Sequence, residues 1–530
     1  MKKIHFIQKR NSVRTLSPIM KVVLFVIMAS FVSIYAYQAR SRAADNQSLP
    51  DYWPTKGWKS CTPEEQGLDS AKLAEGLQTI REKKINIHSL LIIRNGQIVV
   101  DAAFYPYDGK TVHDFASVTK SLITTLIGIA IDQGKLTLDQ PMVSFFPGCK
   151  IANLDAQKEK ITVRHLASMS SGLDSMGLEN DEGTLTEMQA NKDWIQFALD
   201  RKVVSEPGTH FVYDSPGMHL LSAILQQATG MTALEFARQN FFEPLGIQDV
   251  IWPSDPQGFT RGWGDVHLYP RDAAKLGYLW HNKGVWEGKQ LVSREWVENS
   301  VKTQIKTGDE EDYGYGWWVL AGTTEGEYAA MGRGGQRIQV VPALNIIIVT
   351  TGCGFDIDDI MPFLIPALVD PNKPLPANPT GMVEFNNALA KVLQAPAPQP
   401  VTPLPDIAKA ISGKAFVIDP NPIQLKTLRL DFNDSAEAKL YITFNDNSQS
   451  SPILVGLDGI YRILPGDFNL PQGFRGYWAD TQTFVLEIDE IANNSHTIYR
   501  MLFQNEKIII QGKETSHSLS LTVKGKMQNP

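Results

Sequence analysis

Apolar residues recur at helical spacing over residues 70–83, which predicts an amphipathic helix. The next stretch, HSLLIIRNGQIVVDAAFY, reads as a β-hairpin with Asn95-Gly96 as its two-residue turn. A long apolar run, SLITTLIGIAIDQGK, then predicts a buried helix. From 160 to 300 the pattern is mainly helical, with candidate helices at 193–199, 218–229, 233–239, 273–281 and 293–302. Strands return in YGYGWWVL, RIQVVPA and LNIIIVTTG, and a helix follows at 361–369. Strands at both ends with helices between them predict one sheet, built from both ends of this region and covered by helices.

Beyond residue 370 the texture changes. Segments 371–380 and 395–405 are proline-rich, the second reading as a stiff extended linker, and GMVEFNNALAKVLQ between them predicts one helix. From about 410, eight or nine short strand-like runs alternate with polar turns, the pattern of a small β-barrel or sandwich of lipocalin-like texture. No repeat of fixed period is present. The expected organisation is a targeting segment at 1–45, a main domain at 46–380, a helix and linker at 381–409, and an all-β domain at 410–530.

The N-terminal 45 residues are set apart from the fold. Lys2, Lys3, Lys9, Arg10, Arg14 and Lys21 precede an apolar run at 22–37, and only Arg40 and Arg42 follow closely. That asymmetry predicts a cytoplasmic N-terminus and an extracytoplasmic, periplasmic body. Both a removable signal peptide, with Ser41-Arg42-Ala43 as its cleavage site, and an uncleaved inner-membrane anchor fit.

The composition removes several functions. The chain has 530 residues, 43% apolar and 20% charged, with net charge −7 and no long basic block after the N-terminal segment, which argues against a nucleic-acid partner. Cys61, Cys149 and Cys353 are widely spaced and form neither a disulfide framework nor a zinc motif; which pair, if any, bridges is open. The ten histidines include no HExxH, and no GxSxG elbow exists.

Candidate chemistry begins at Ser117-Val118-Thr119-Lys120, where the apolar run opens. No other serine in the chain has a lysine three residues on. On a helix, positions i and i+3 share a face, so Lys120 would sit one turn behind the Ser117 hydroxyl. A serine is a poor nucleophile until a neighbouring base takes its proton. The helix start also offers backbone N–H groups to a developing oxyanion. Tyr213 stands just before a predicted helix and can relay a proton as a phenol beside an ammonium. In MGRGGQRIQVV, Gly332, Gly334 and Gly335 let backbone pass close to a ligand, and Arg333 offers a cation to a substrate anion. Tyr313, Tyr315, Trp317 and Trp318 fit either an apolar pocket or plain core.

In this order, the segments resemble the penicillin-recognising serine hydrolases of the class C β-lactamase-like family, over roughly residues 60–370. ITVRHLASMSSGLD, LYPRDAAKLGYLWHNKGVWEGKQLVSREWV and YGYGWWV carry the likeness. Within the family, the GGQ of the third motif is most similar to 6-aminohexanoate-dimer hydrolases and related esterases. The resemblance implies an α/β (α+β) fold with a central antiparallel sheet flanked by helices. It implies Ser117 as the acylated nucleophile, Lys120 as its partner and Tyr213 as the tyrosine of a Tyr-x-Asn motif. Arg333-Gly334-Gly335 takes the Lys-Thr-Gly position, and the N–H groups of Ser117 and Gln336 form the oxyanion hole. Two residues depart from the family pattern. Ser215 replaces a common asparagine, and Arg333 replaces lysine or histidine, keeping the charge but not proton transfer. In relatives the region matching 173–189 covers the site; here that acidic stretch reads equally as a solvated loop.

The expected function is therefore cleavage of an amide or ester through a Ser117 acyl-enzyme, with no metal or organic cofactor. A small molecule or peptide is the expected substrate. The alternatives are a D,D-peptidase or weak β-lactamase, and a catalytically idle binding protein.

Overall fold

The computed structural model describes residues 49–175, 182–320, 326–433, 435–446, 448, 451–516 and 520–528. The N-terminal targeting expectation and part of the acidic stretch 173–189 lie outside the described residues. No described helix is long and apolar enough to cross a membrane. Cys61, Cys149 and Cys353 are all free thiols.

Strands β1 (Lys59–Ser60), β2 (Ile87–Arg94) and β3 (Gln97–Ala103) come first. Two small ribbons follow, one pairing β4 (His113–Asp114) with β5 (His267–Leu268), the other β6 (Val285–Trp286) with β7 (Lys289–Gln290). Strands β8 (Glu311–Tyr313), β9 (Trp318–Leu320), β10 (Tyr328–Gly332), β11 (Gln336–Val341) and β12 (Ile346–Gly352) complete the main sheet, ordered β1-β3-β2-β12-β11-β10-β9-β8. Only β1 runs parallel to its neighbour. The β2–β12 pairing joins early and late chain, Ile347 facing Ile93 and Val349 facing Leu91, as the strand pattern predicted.

Helices cover both faces. Helix α1 (Ser70–Glu82) packs Leu73, Leu77 and Ile80 against one face. Helix α2 (Val118–Asp132) is buried almost all round, which is why its sequence is apolar all round rather than striped. Helix α3 (Ser215–Thr229) and helix α4 (Pro270–His281) share its cluster on the opposite face. Gly128 of α2 is a close-approach position: a Cβ there would lie 2.4 Å from the Trp296 ring. Helix α5 (Pro379–Leu393), expected as a helix set between the two proline-rich linkers, packs into the main core, burying Phe385, Ala388 and Val392 with α1.

Two strand expectations need correction. YGYGWWVL is not one strand, because Gly314 and Gly316 turn the chain between β8 and β9, Gly316 at φ +75°. Strand β10, YAAMG before its glycine turn, was missed, since alanine and glycine carry little β preference and the strand is specified by its neighbours.

The C-terminal part is a ten-stranded sheet, antiparallel except at one parallel closing contact, where eight or nine antiparallel strands were expected. Its strands are β13 (Ala415–Ile418), β14 (Leu425–Phe432), β15 (Glu437–Phe444), β16 (Ile453–Gly456), β17 (Arg462–Pro465), β18 (Pro471–Trp478), β19 (Thr483–Asp489), β20 (His496–Gln504), β21 (Lys507–Glu514) and β22 (Ser520–Met527). A β16–β18 pairing at Gly456 and Arg475 closes it into a barrel. Phe416, Phe432, Trp478, Phe484 and Phe503 pack ring against ring, tilted or edge-on, in its core. The barrel docks on the main sheet: the Tyr461 N–H donates to Tyr105 Oη at 3.0 Å, and the Asp114 N–H to the Ala492 carbonyl at 2.9 Å.

Candidate active site

Ser117 stands at the start of α2, held by the turn before it. Ala116 lies in the left-handed region at φ +45°, a costly conformation for a residue with a Cβ. Three bonds hold it there. The Ala116 N–H donates to Asp114 Oδ1 at 2.7 Å, Thr119 Oγ1 donates to the Ala116 carbonyl at 2.6 Å, and the Val266 N–H donates to Thr119 Oγ1 at 3.1 Å. Ser117 takes the N-cap position yet makes no side-chain cap bond, so its hydroxyl is not spent on the helix.

Lys120 lies one turn on, 1% exposed. Its Nζ donates to Ser117 Oγ at 2.8 Å and to the Trp263 carbonyl at 2.7 Å. It also sits 4.7 Å from the centroid of the Tyr213 ring. The i, i+3 spacing thus delivers the contact expected of it, and the ring of Tyr213, remote in sequence, is brought to the same Nζ. Trp318 stacks on Tyr213, with ring centroids 6.1 Å apart at 17°. Of the four aromatics left open between pocket and core, Tyr313, Tyr315 and Trp317 are core, and Trp318 alone reaches the site wall.

Tyr213 is fixed by the start of α3. Asp214 caps that helix, accepting from the Gly217 N–H at 2.9 Å, and forms a buried two-pronged pair with Arg201 at 2.7 and 3.1 Å. Ser215 follows as the first residue of α3 and is buried.

The β10–β11 hairpin forms the facing wall. Gly332, the last residue of β10, backs directly onto the nucleophile turn: a Cβ there would fall 2.5 Å from the Phe115 carbonyl and 3.0 Å from Ser117 N. Only glycine fits. Gly334 and Gly335 make the turn at φ +84° and +96°, and a Cβ on Gly335 would strike the Phe355 ring at 2.3 Å. Gln336 pairs with Gly332 across the hairpin. Its side chain is buried and used internally, donating to the Arg333 carbonyl at 2.9 Å and the Gly352 carbonyl at 2.7 Å while accepting from the Gly352 N–H at 3.0 Å. Of this motif, Gly332 is set directly against Ser117, while the side chain of Gln336, whose backbone N–H was the expected oxyanion donor, turns inward. The sequence signal for Gly332 was the extra glycine ahead of Arg333.

Arg333 meets an unexpected neighbour. Its guanidinium donates to Asn494 Oδ1, and Asn494 Nδ2 donates to Asp114 Oδ2. Asn494 lies in the β19–β20 turn of the barrel, a region in which the sequence showed no chemistry. Burial pushes the Asp114 carboxyl up to about 6, with Asp265 adding to it and His267, the Ala116 N–H and Arg333 opposing. Burial likewise pushes Glu490, in the same turn, up to about 7. Beside this lies a second buried contact between barrel and sheet: His88 Nδ1 is 2.9 Å from His113 Nε2, and His88 Nε2 is 3.7 Å from Asp489. Burial holds both imidazoles below the ordinary histidine range. Among the described residues no group of His, Cys, Asp and Glu is placed to hold a metal ion.

Known proteins resemble the chain over the part that carries this geometry. A 6-aminohexanoate-dimer hydrolase of Paenarthrobacter ureafaciens is 24% identical over 290 residues, which are 49% of this chain and 71% of that one. Esterase EstB of Burkholderia gladioli is 27% identical over 236 residues, 40% of this chain and 60% of that one. Among solved structures, an octameric penicillin-binding protein homologue from Pyrococcus abyssi aligns with TM-score 0.46 and 18% identity, over 85% of this chain and 98% of that one. The beta-lactamase family model matches residues 73–351, more than half of the chain. A stretch that begins inside α1 and ends in β12 takes in every wall of the site except the barrel turn, and on that match the chain belongs to the β-lactamase family of serine hydrolases.

Proposed function

We propose that Ser117 attacks the carbonyl of an ester or amide in a small molecule or short peptide, forming an acyl-enzyme that water then hydrolyses. The observation that carries this reading is the 2.8 Å bond between Lys120 Nζ and Ser117 Oγ in a buried setting. As Oγ bonds to the carbonyl carbon, its proton passes to the Lys120–Tyr213 pair, and the same pair returns a proton to the leaving alcohol or amine. In the second step the pair takes a proton from water, which attacks the acyl carbon and frees Oγ. The Ser117 N–H is one oxyanion donor. The N–H of Gln336, paired across the hairpin with the Gly332 that abuts Ser117, is the other in this reading. Arg333, Gly334, Gly335 and Ser215 line the substrate end in this reading. No step calls for a metal or organic cofactor.

The test is intact mass after exposure to a fluorophosphonate, with p-nitrophenyl esters and a chromogenic cephalosporin assayed alongside. One adduct, mapped to Ser117, with ester turnover is expected. Cephalosporin turnover would turn the reading toward a β-lactamase or D,D-peptidase. No adduct and no turnover on folded protein would leave an idle binding protein.

The cationic residues ahead of the apolar run 22–37 support an extracytoplasmic, periplasmic setting, either secreted or anchored at the inner membrane. The full chain is expected in the periplasmic or membrane fraction, and a chain lacking residues 1–45 in the cytoplasm. Equal distribution of the two would sink that assignment.

A further inference from the structure

We infer that Asn494, delivered by the barrel, is a positioning residue of the hydrolase: its amide ties the Arg333 turn to the Asp114 carboxylate and so fixes the gap in which the oxyanion forms. The inference rests on Ser117 being the nucleophile and extends the site to a part of the chain that the family match does not reach.

The geometry is directional. The amide of Asn494 uses both of its ends, Oδ1 accepting from the Arg333 guanidinium and Nδ2 donating to Asp114 Oδ2. The other oxygen of the same carboxylate accepts the Ala116 N–H at 2.7 Å. Ala116 is the strained residue, at φ +45°, directly before Ser117. On the opposite side, Arg333 directly follows Gly332, whose backbone abuts Ser117 N. One amide therefore links side chains carried by the two segments that border the nucleophile. It is buried, 4% exposed, as is Asp114. The turn that carries it is itself secured: the Glu490 N–H donates to the Ser495 carbonyl at 3.0 Å, and the Asp114 N–H to the Ala492 carbonyl at 2.9 Å. A buried amide satisfied at both ends resists rotation, because turning it leaves two polar groups unpaired.

Positioning makes a distinct prediction from docking. Loss of the clamp loosens the nucleophile and oxyanion geometry, which lowers the rate of acylation, while ground-state binding of a neutral ester is little affected. Misplacement on this scale costs about 10- to 100-fold in rate. A residue that only glues the barrel on would instead act through stability, and any other bond across the same interface would serve as well. Tyr105 offers that comparison, because its hydroxyl accepts the Tyr461 N–H from the barrel.

The experiment uses the whole chain. Asn494→Ala, Asn494→Asp and Tyr105→Phe are compared with wild type for p-nitrophenyl ester kcat and KM, for the rate of fluorophosphonate labelling, and for Tm. Asn494→Ala is expected to lower kcat and the labelling rate by about 10- to 100-fold with KM within about twofold. Tyr105→Phe is expected to keep both rates. Asn494→Asp preserves the acceptor for Arg333 but sets a second carboxylate against Asp114, where His267, Asp265, Arg333 and Glu490 also face. At low pH the two carboxyls share a proton; as pH rises both ionise and repel. That variant is therefore expected to lose activity relative to wild type as pH rises from about 5 to 8. Wild-type rates in Asn494→Ala, or losses that Tyr105→Phe reproduces together with a pH profile unmoved in Asn494→Asp, overturn the inference while Ser117 is still labelled. A wild-type chain in which Ser117 is not labelled overturns the nucleophile assignment instead.

Discussion

Ser117→Ala is expected to cut ester turnover by a factor of about 10,000 or more and to abolish the fluorophosphonate adduct, with the fold unchanged. The second half of that expectation comes from the helix start. Replacing an N-cap serine by alanine ordinarily costs about 1 kcal/mol because a cap bond is lost. Here Ser117 makes no such bond, so the change in stability should stay within about 0.5 kcal/mol. Lys120 loses one acceptor and keeps the Trp263 carbonyl. The companion variant, Lys120→Met, keeps the length and burial of the side chain but removes the group that receives the proton, and should lower kcat by about 100- to 10,000-fold. It also leaves the Trp263 carbonyl without that donor, a cost of about 1–3 kcal/mol in stability. Activity and Tm therefore separate the two variants: one is inactive at wild-type Tm, the other inactive at a reduced one. Substantial turnover in Ser117→Ala would remove the acyl-enzyme from the account.

What the sequence disclosed follows from what is local. Ser117 and Lys120 are one helical turn apart, so spacing alone predicts their contact, and the structure delivers it at 2.8 Å. The β2–β3 hairpin was legible from Asn95-Gly96 because a two-residue turn fixes register. The placement of Tyr213 on Lys120 is not local, and the family likeness supplied it. The third motif was legible, but which of its glycines meets the nucleophile was not. Three glycines lie within four residues, and periodicity cannot say which of them meets the nucleophile; the packing of Gly332 on Phe115 and Ser117 does. Asn494 was invisible for a related reason. An asparagine pair before a strand reads as an ordinary turn, and only barrel docking brings it beside Asp114, 380 residues away in sequence. Of the aromatic run at 313–318, three residues are core and one is wall, a distinction set by the Gly314 and Gly316 turn rather than by residue type.

The largest effect on stability is expected from Arg201. Arg201→Met removes the cation from a buried pair in which the side chains of Arg201 and Asp214 are 6% and 4% exposed. The Asp214 carboxylate then keeps the Gly217 N–H but loses its two shortest charged contacts. An uncompensated buried charge of this kind costs about 3–5 kcal/mol, and thermal unfolding should register it as a clear fall in Tm. Asp214→Asn in the same background should restore part of the loss, since an asparagine caps the helix almost as well and carries no charge to strand. The pair also bears on chemistry, because Asp214 directly follows Tyr213 and fixes the turn that lays its ring 4.7 Å from Lys120 Nζ. Arg201→Met should therefore lower kcat more than stability alone explains at temperatures well below Tm, and the double variant should recover stability ahead of activity. A Tm within about one degree of wild type in Arg201→Met would mean that the pair is relaxed by solvent and contributes little.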